Sequence, residues 1–146
     1  MNSQSAIIQV FVYGTLKPGE SNYQIYCQGK TIAEIPAYTT GELYHLPVGY
    51  PAMTIGNQKI EGYLLFFRDS KILNSLDYLE NYQETRASKL NDYYRQKVPI
   101  YSLSAGKSSK SDRFLGQAWC YLMSLEKITE CQGKLLTTNS WSSELV

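Results

Sequence analysis

The chain has 146 residues, 43% hydrophobic and 18% charged, enough for one ordinary domain with a single core. A net charge of +1 without a basic stripe excludes a nucleic-acid footprint, and no apolar run approaches the ~20 residues of a membrane span. Cys27, Cys120 and Cys131 lie far apart with no CxxC, which excludes a disulfide framework or a zinc site and points to a reducing, cytoplasmic setting.

The opening residues lack the basic region and small-residue cleavage site of a signal peptide. The run AIIQVFVY, residues 6–13, is rich in β-branched and aromatic types and reads as a buried first strand ending at Gly14. A loop, residues 14–22, and a short helix over 23–28 follow. From 30 to 67 come strand-like pieces broken by Pro and Gly: TIAEI, GELYHL, YPAMTI and IEGYLLFF. Asp69 then reads as the N-cap of a helix over 70–82, SKILNSLDYLENY. Residues 93–102 alternate as a strand, with Pro99 implying an edge or a bulge. The stretch 104–112 reads as a flexible loop and 114–123 as a last strand. The polar tail over 133–146 has weak signals and reads as partly disordered. Many short strands with one or two helices in a single domain, 1–146, predict an α+β fold with a largely antiparallel or barrel-like sheet.

The loop VYGTLKPGESN has the Gly14-x-x-x-x-Gly19-x-Ser21 spacing of a P-loop. A P-loop carries Lys after its second glycine to neutralise phosphate, and here Glu20 repels it. The helix carries the sharpest signal. With Ile72 at zero and about 100° per residue, Leu76 falls at about 40°, Leu79 at about −20° and Leu73 at about 100°. Glu80 falls at about 80°, inside this apolar stripe, and Asp77 at about 140°, on its edge. An inward carboxylate is costly unless paired or neutralised, and desolvation raises its pKa towards the range of a general acid/base. Two readings stay open from the pattern: Glu80 pairs with Arg95 or Arg68 or reaches the rim, or it faces a pocket formed with the opening loop. His45, the one histidine, has no flanking catalytic motif, and thirteen tyrosines suit strands and pocket walls.

YGTLKPG and LDYLENY together resemble the gamma-glutamylcyclotransferase-like family, closest to its small members acting on gamma-glutamyl amines. Asn22, Gly41-x-Leu43-Tyr44, Tyr50-Pro51-Ala52, Glu61-Gly62-Tyr63-Leu64, Tyr94-Arg95 and Ala118-Trp119-x-Tyr121 follow in the family's order. The resemblance implies a compact mixed β-barrel flanked by helices, a small-molecule substrate, and no metal or organic cofactor. It implies that Tyr13, Gly14, Thr15 and Leu16 form the substrate-binding wall, that Glu80 is the catalytic general acid/base, and that Tyr94 faces the pocket, with Tyr93 the alternative. Asn81 stands where the family often has Gly, and Asn tolerates the left-handed backbone. The implied reaction turns a gamma-glutamyl amine or peptide into 5-oxoproline and free amine. A binding protein for a small carboxylated metabolite is the rival expectation.

Overall fold

A computed structural model of the chain describes residues 7–103 and 113–143. The expected loop over 104–112 lies outside them. The elements are β1 (Ile8–Val12), α1 (Ser21–Tyr26), β2 (Thr31–His45), β3 (Pro51–Phe67), α2 (Ile72–Leu79), a 3-10 turn (Ser88–Leu90), β4 (Tyr94–Ser102), β5 (Phe114–Leu122), α3 (Leu125–Glu130) and β6 (Lys134–Leu135).

The strands run β3-β1-β5-β4-β2, and β2 pairs again with β3, so five strands close into a barrel. The β1–β5 pair is parallel and the others are antiparallel, which makes the barrel mixed. With a few helices around it, this is the expected α+β architecture. β6 adds to β2 through Tyr44↔Leu135 and His45↔Lys134.

The pieces between 30 and 67 are two long strands rather than four short ones. The glycines that suggest breaks mark instead a bulge where the two backbones crowd together. Pairing jumps from Gly41↔Gln58 to Glu42↔Thr54. A Cβ on Gly41 would stand 2.8 Å from the Thr54 carbonyl oxygen, and one on Gly56 would stand 2.6 Å from Cγ of Glu42. Pro99 likewise precedes a register shift at Ile100/Tyr101, as a residue without an N–H favours.

Alternation along the strands sorts the core into two groups. Phe11, Leu43, Met53, Ile100 and Cys120 belong to one that draws on all five barrel strands. Val10, Val12, Leu65 and Phe67 belong to the other, with Ile72 and Leu76 of α2 and Ile128 of α3. So α2 sits on the barrel's outer face through the stripe that the sequence marks. The weak tail pattern conceals order over 134–143. Leu136 N–H donates to the Leu43 carbonyl, and Trp141 is 1% exposed. Trp141 Nε1–H donates to His45 Nδ1 at 3.0 Å, which gives that histidine a structural partner.

Candidate active site

The hydrophobic run of β1 ends at a tyrosine whose hydroxyl works as a tie. Tyr13 O–H donates to the Tyr121 carbonyl at 2.6 Å and accepts from Met53 N–H at 3.2 Å, joining β1 to β5 and β3. Burial first, then neighbouring charges including Glu80, push this phenol well up, so it stays neutral. The chain then turns at Gly14, where Lys17 N–H donates to the Gly14 carbonyl at 3.0 Å. A Cβ at Gly14 would meet Cγ of Pro51 at 2.6 Å, so glycine is needed for close packing there.

Thr15 anchors the rest of the loop. Its carbonyl accepts from the N–H groups of Asn22 and Tyr23, and its Oγ1 accepts from Asn22 Nδ2 at 2.8 Å. The turn's hydrogen bonds are donated by Lys17, Glu20, Asn22 and Tyr23, and none of them uses the N–H of Gly14, Thr15 or Leu16. The P-loop spacing has another cause. Gly19 takes φ +93, Lys17 Nζ donates to the Trp141 carbonyl, and Glu20 accepts from Ser143 N–H at 3.5 Å. Both charged residues are thus spent on holding the C-terminal segment.

Helix α2 delivers the carboxylate. It is shorter than its pattern, because its end is set by backbone geometry rather than periodicity. Asn81 adopts φ +55, Asn81 N–H donates to the Tyr78 carbonyl and Tyr82 N–H to the Asp77 carbonyl. This pair of bonds closes a Schellman turn with Glu80 at the C-cap. At the other end Asp69 Oδ1 accepts from Lys71 N–H at 2.9 Å, starting the turn that leads into the helix.

Glu80 and residues 13–16 line one cavity of about 140 Å³, together with Asn22, Tyr50 and Pro51. This is several water molecules' worth of space, suited to the polar head of a small metabolite rather than to a drug-sized ligand. The Arg95 reading fails for Glu80. Arg95 Nε pairs with Asp77 Oδ1 at 2.9 Å instead, and its guanidinium lies 4.4 Å from the Trp119 ring centre. Among the described residues no side chain hydrogen-bonds or salt-bridges to the Glu80 carboxylate. Desolvation, with the Asp92 charge adding to it, pushes its pKa up to about 8.

Asp77 has the opposite fate. It accepts two bonds from Arg95 and a 2.6 Å bond from the O–H of Tyr121, a residue that lines the cavity. Asp77→Ala should therefore lower stability by about 2 kcal/mol, less than a fully buried pair because both partners keep some exposure. Urea unfolding at neutral pH measures it, and an unchanged midpoint would count against this bracing role.

The tyrosine expectation is corrected by one position. Tyr93, not Tyr94, lines the cavity, and its hydroxyl donates to the Pro51 carbonyl at 2.8 Å. Tyr94 packs against the group inside the barrel. Successive residues of an extended chain face opposite sides, so only one of the pair can serve the site. Asp92, Tyr50 and Tyr121 also line the cavity. Sequence patterning assigns them no role; Tyr50 and Tyr121 fall within recognised pieces, whereas Asp92 has no flanking signal. Among the described residues no group of His, Cys, Asp or Glu is arranged to hold a metal ion.

The family model for "Gamma-glutamyl cyclotransferase, AIG2-like" matches residues 10–143. The chain belongs to this family. A Vibrio cholerae protein named "Putative gamma-glutamylcyclotransferase" is 35% identical over 72 residues, which is 49% of this chain and 61% of that relative. The match thus spans under two thirds of the relative's length. The fold agrees with that of an AIG2-like protein from Mus musculus, at TM-score 0.65 and 20% identity over 94% of this chain and 90% of the other. YkqA from Bacillus subtilis aligns at TM-score 0.59 and 21% identity, over 93% of this chain and 40% of its own. Within the gamma-glutamyl cyclotransferase family fold, then, the cavity lies where β1 ends and α2 ends, lined by residues 11–16 with Leu79 and Glu80.

Proposed function

We propose that this protein converts a gamma-glutamyl amine into 5-oxoproline and the free amine, with Glu80 as the general acid/base. The observation that carries the reading is one cavity holding two complementary polar features. Glu80 is a carboxylate with no partner among the described residues, suited to an ammonium group, and the loop of Gly14, Thr15 and Leu16 has N–H groups its own turn leaves unused. A gamma-glutamyl group presents an α-ammonium and an α-carboxylate on the same carbon, which matches both.

The substrate's α-ammonium gives a proton to Glu80, and the freed amine attacks the side-chain δ-carbonyl carbon. A C–N bond forms, the carbonyl oxygen takes the negative charge, and in this reading the loop N–H groups stabilise that charge or hold the α-carboxylate. The intermediate collapses by breaking the bond to the leaving nitrogen, which receives the proton from Glu80. The second proton of the attacking amine follows the same route, so lactam and protonated amine depart and the carboxylate is regenerated. Ring closure supplies proximity within the substrate, so no enzyme nucleophile is needed. The cysteines fit that account. Cys27 and Cys120 are buried, and burial raises both thiols, Cys27 to about 11. With all three cysteines free, the reaction would run in a reducing cytoplasm.

The acidic limb of the kcat/KM profile follows from the free enzyme's Glu80. Below about pH 8 its carboxylate is increasingly protonated and cannot accept a proton. kcat/KM should rise about tenfold per pH unit between pH 6 and 7.5 and bend near 8. A limb bending near pH 4–5, the ordinary carboxylate range, would remove Glu80 from the role of base.

A further inference from the structure

The described lining of the cavity contains two ionisable carboxylates, Glu80 and Asp92, and no lysine, arginine or histidine. Glu80 lines the cavity with no side-chain partner among the described residues. Asp92 stands towards solvent, its side chain 46% exposed. Asp92 is held in place by three contacts, two with Asn81 and one with Lys127. Its N–H donates to the Asn81 carbonyl at 3.1 Å, its Oδ2 accepts from Asn81 Nδ2 at 3.1 Å, and Lys127 Nζ of α3 lies 3.4 Å from Oδ1. A carboxylate has about four acceptor sites, so these contacts leave capacity for a further donor.

The connection that presents Asp92 is itself fixed. Arg86 donates to the Asn81 carbonyl and Oδ1 and to Asn91 Oδ1, and Asn91, 7% exposed, bonds Gln83 through both ends of its amide. Asn81, the residue that closes the α2 turn, therefore also brings a second acid to the cavity beside Glu80.

Resting on the proposed cyclisation, we infer that Asp92 is a specificity-determining residue that selects a leaving amine carrying a second positive charge, as in an aliphatic diamine. The glutamyl half of the substrate uses Glu80 and the loop N–H groups, so its leaving amine must exit past the solvent-facing part of the lining. There a distal ammonium gains from Asp92, a neutral alkyl end gains nothing from it, and a carboxylate end is repelled with no described cation in the lining to offset the repulsion. Amino-acid leaving groups that keep their carboxylate are disfavoured on the same ground. Lys127, 3.4 Å from Asp92 Oδ1 and outside the lining, offsets part of the Asp92 charge and so weakens the preference without reversing it.

The test is calorimetric binding to the Glu80→Gln protein, which holds ligands without consuming them. Three ligands share the gamma-glutamyl head and differ only in the amine: 1,4-diaminobutane, butylamine or 4-aminobutanoate. The expected order is diamine about threefold tighter than butylamine, and butylamine about threefold tighter than the carboxylate. Adding Asp92→Asn should bring the diamine-to-butylamine ratio close to one, and 0.5 M salt should shrink it in the Asp92 protein. In the otherwise native enzyme, Asp92→Asn should also move the acidic limb of kcat/KM to lower pH, a shift that loss of packing alone would not produce. Equal binding of all three ligands, tighter binding of the carboxylate, or a ratio unmoved by Asp92→Asn would overturn the inference while leaving the cyclisation intact. Failure of all three to bind, with no 5-oxoproline from the unmodified enzyme, would overturn both.

Discussion

Glu80→Gln should lower 5-oxoproline release by about 10³-fold while making the protein more stable above neutral pH. The first effect follows because Gln keeps the shape of the side chain and cannot exchange a proton. The second follows from the direction of the pKa shift. In the folded protein Glu80 titrates at about 8, against an ordinary value of 4.5. Between those limits the unfolded chain has released its proton and the folded chain has kept it, so stability falls as pH rises. Gln is exempt from that loss. The two proteins should melt alike at pH 4, where both are neutral at this position in either state. At pH 8 the variant should gain about 2 kcal/mol, a figure kept below the full shift because the cavity is open to water, or roughly 5 °C in Tm. Thermal melts at the two pH values measure it. A variant that loses activity and stability together would mark Glu80 as structural.

Gly62→Ala should be the most damaging small substitution outside the carboxylate, costing about 3 kcal/mol and roughly 10 °C in Tm. A Cβ at that position would stand 2.1 Å from the Val12 carbonyl oxygen and 2.9 Å from Cζ of Phe11. Backbone cannot rotate aside as a side-chain end can, so β1 must move away from β3. Val12 is the last residue of β1 and leads directly into Tyr13 and Gly14, so the displacement reaches the cavity wall. Substrate KM should rise in whatever fraction folds. Gly62 lies in the Glu61-Gly62-Tyr63-Leu64 piece of the resemblance, and this close approach of two strands is a physical reason for glycine there. A variant with unchanged Tm would contradict the contact.

What the sequence made legible was local. The inward angle of Glu80 followed from helix geometry, although the helix stops one residue before it. The wheel survives because the C-cap still continues the turn. Left-handed Asn81 was legible as a tolerance of its side chain, but its bonds to Asp92 and Arg86 were not, because they depend on how residues 82–92 fold back. The same cause hid Trp141. A tryptophan in a polar tail has no periodicity to mark it, and its burial against His45 comes from pairings nearly a hundred residues apart in the chain. Glycines at 41 and 56 misled for a related reason. Glycine breaks a strand in isolation, yet across a long hairpin it permits a bulge. The choice between Tyr93 and Tyr94 rested on strand phase, which a residue count alone does not fix.

The central claim is that the cavity cyclises a gamma-glutamyl group, and the direct measurement is product stoichiometry. The intact protein is incubated with gamma-glutamyl-butylamine and gamma-glutamyl-1,4-diaminobutane at pH 8, with both products quantified and ligand heat recorded in parallel. The account predicts 5-oxoproline and free amine in equal amounts over many turnovers, with the Glu80→Gln protein binding and releasing neither. Binding heat from a folded, unmodified protein with no 5-oxoproline from either substrate would contradict it and leave a binding protein with the same pocket.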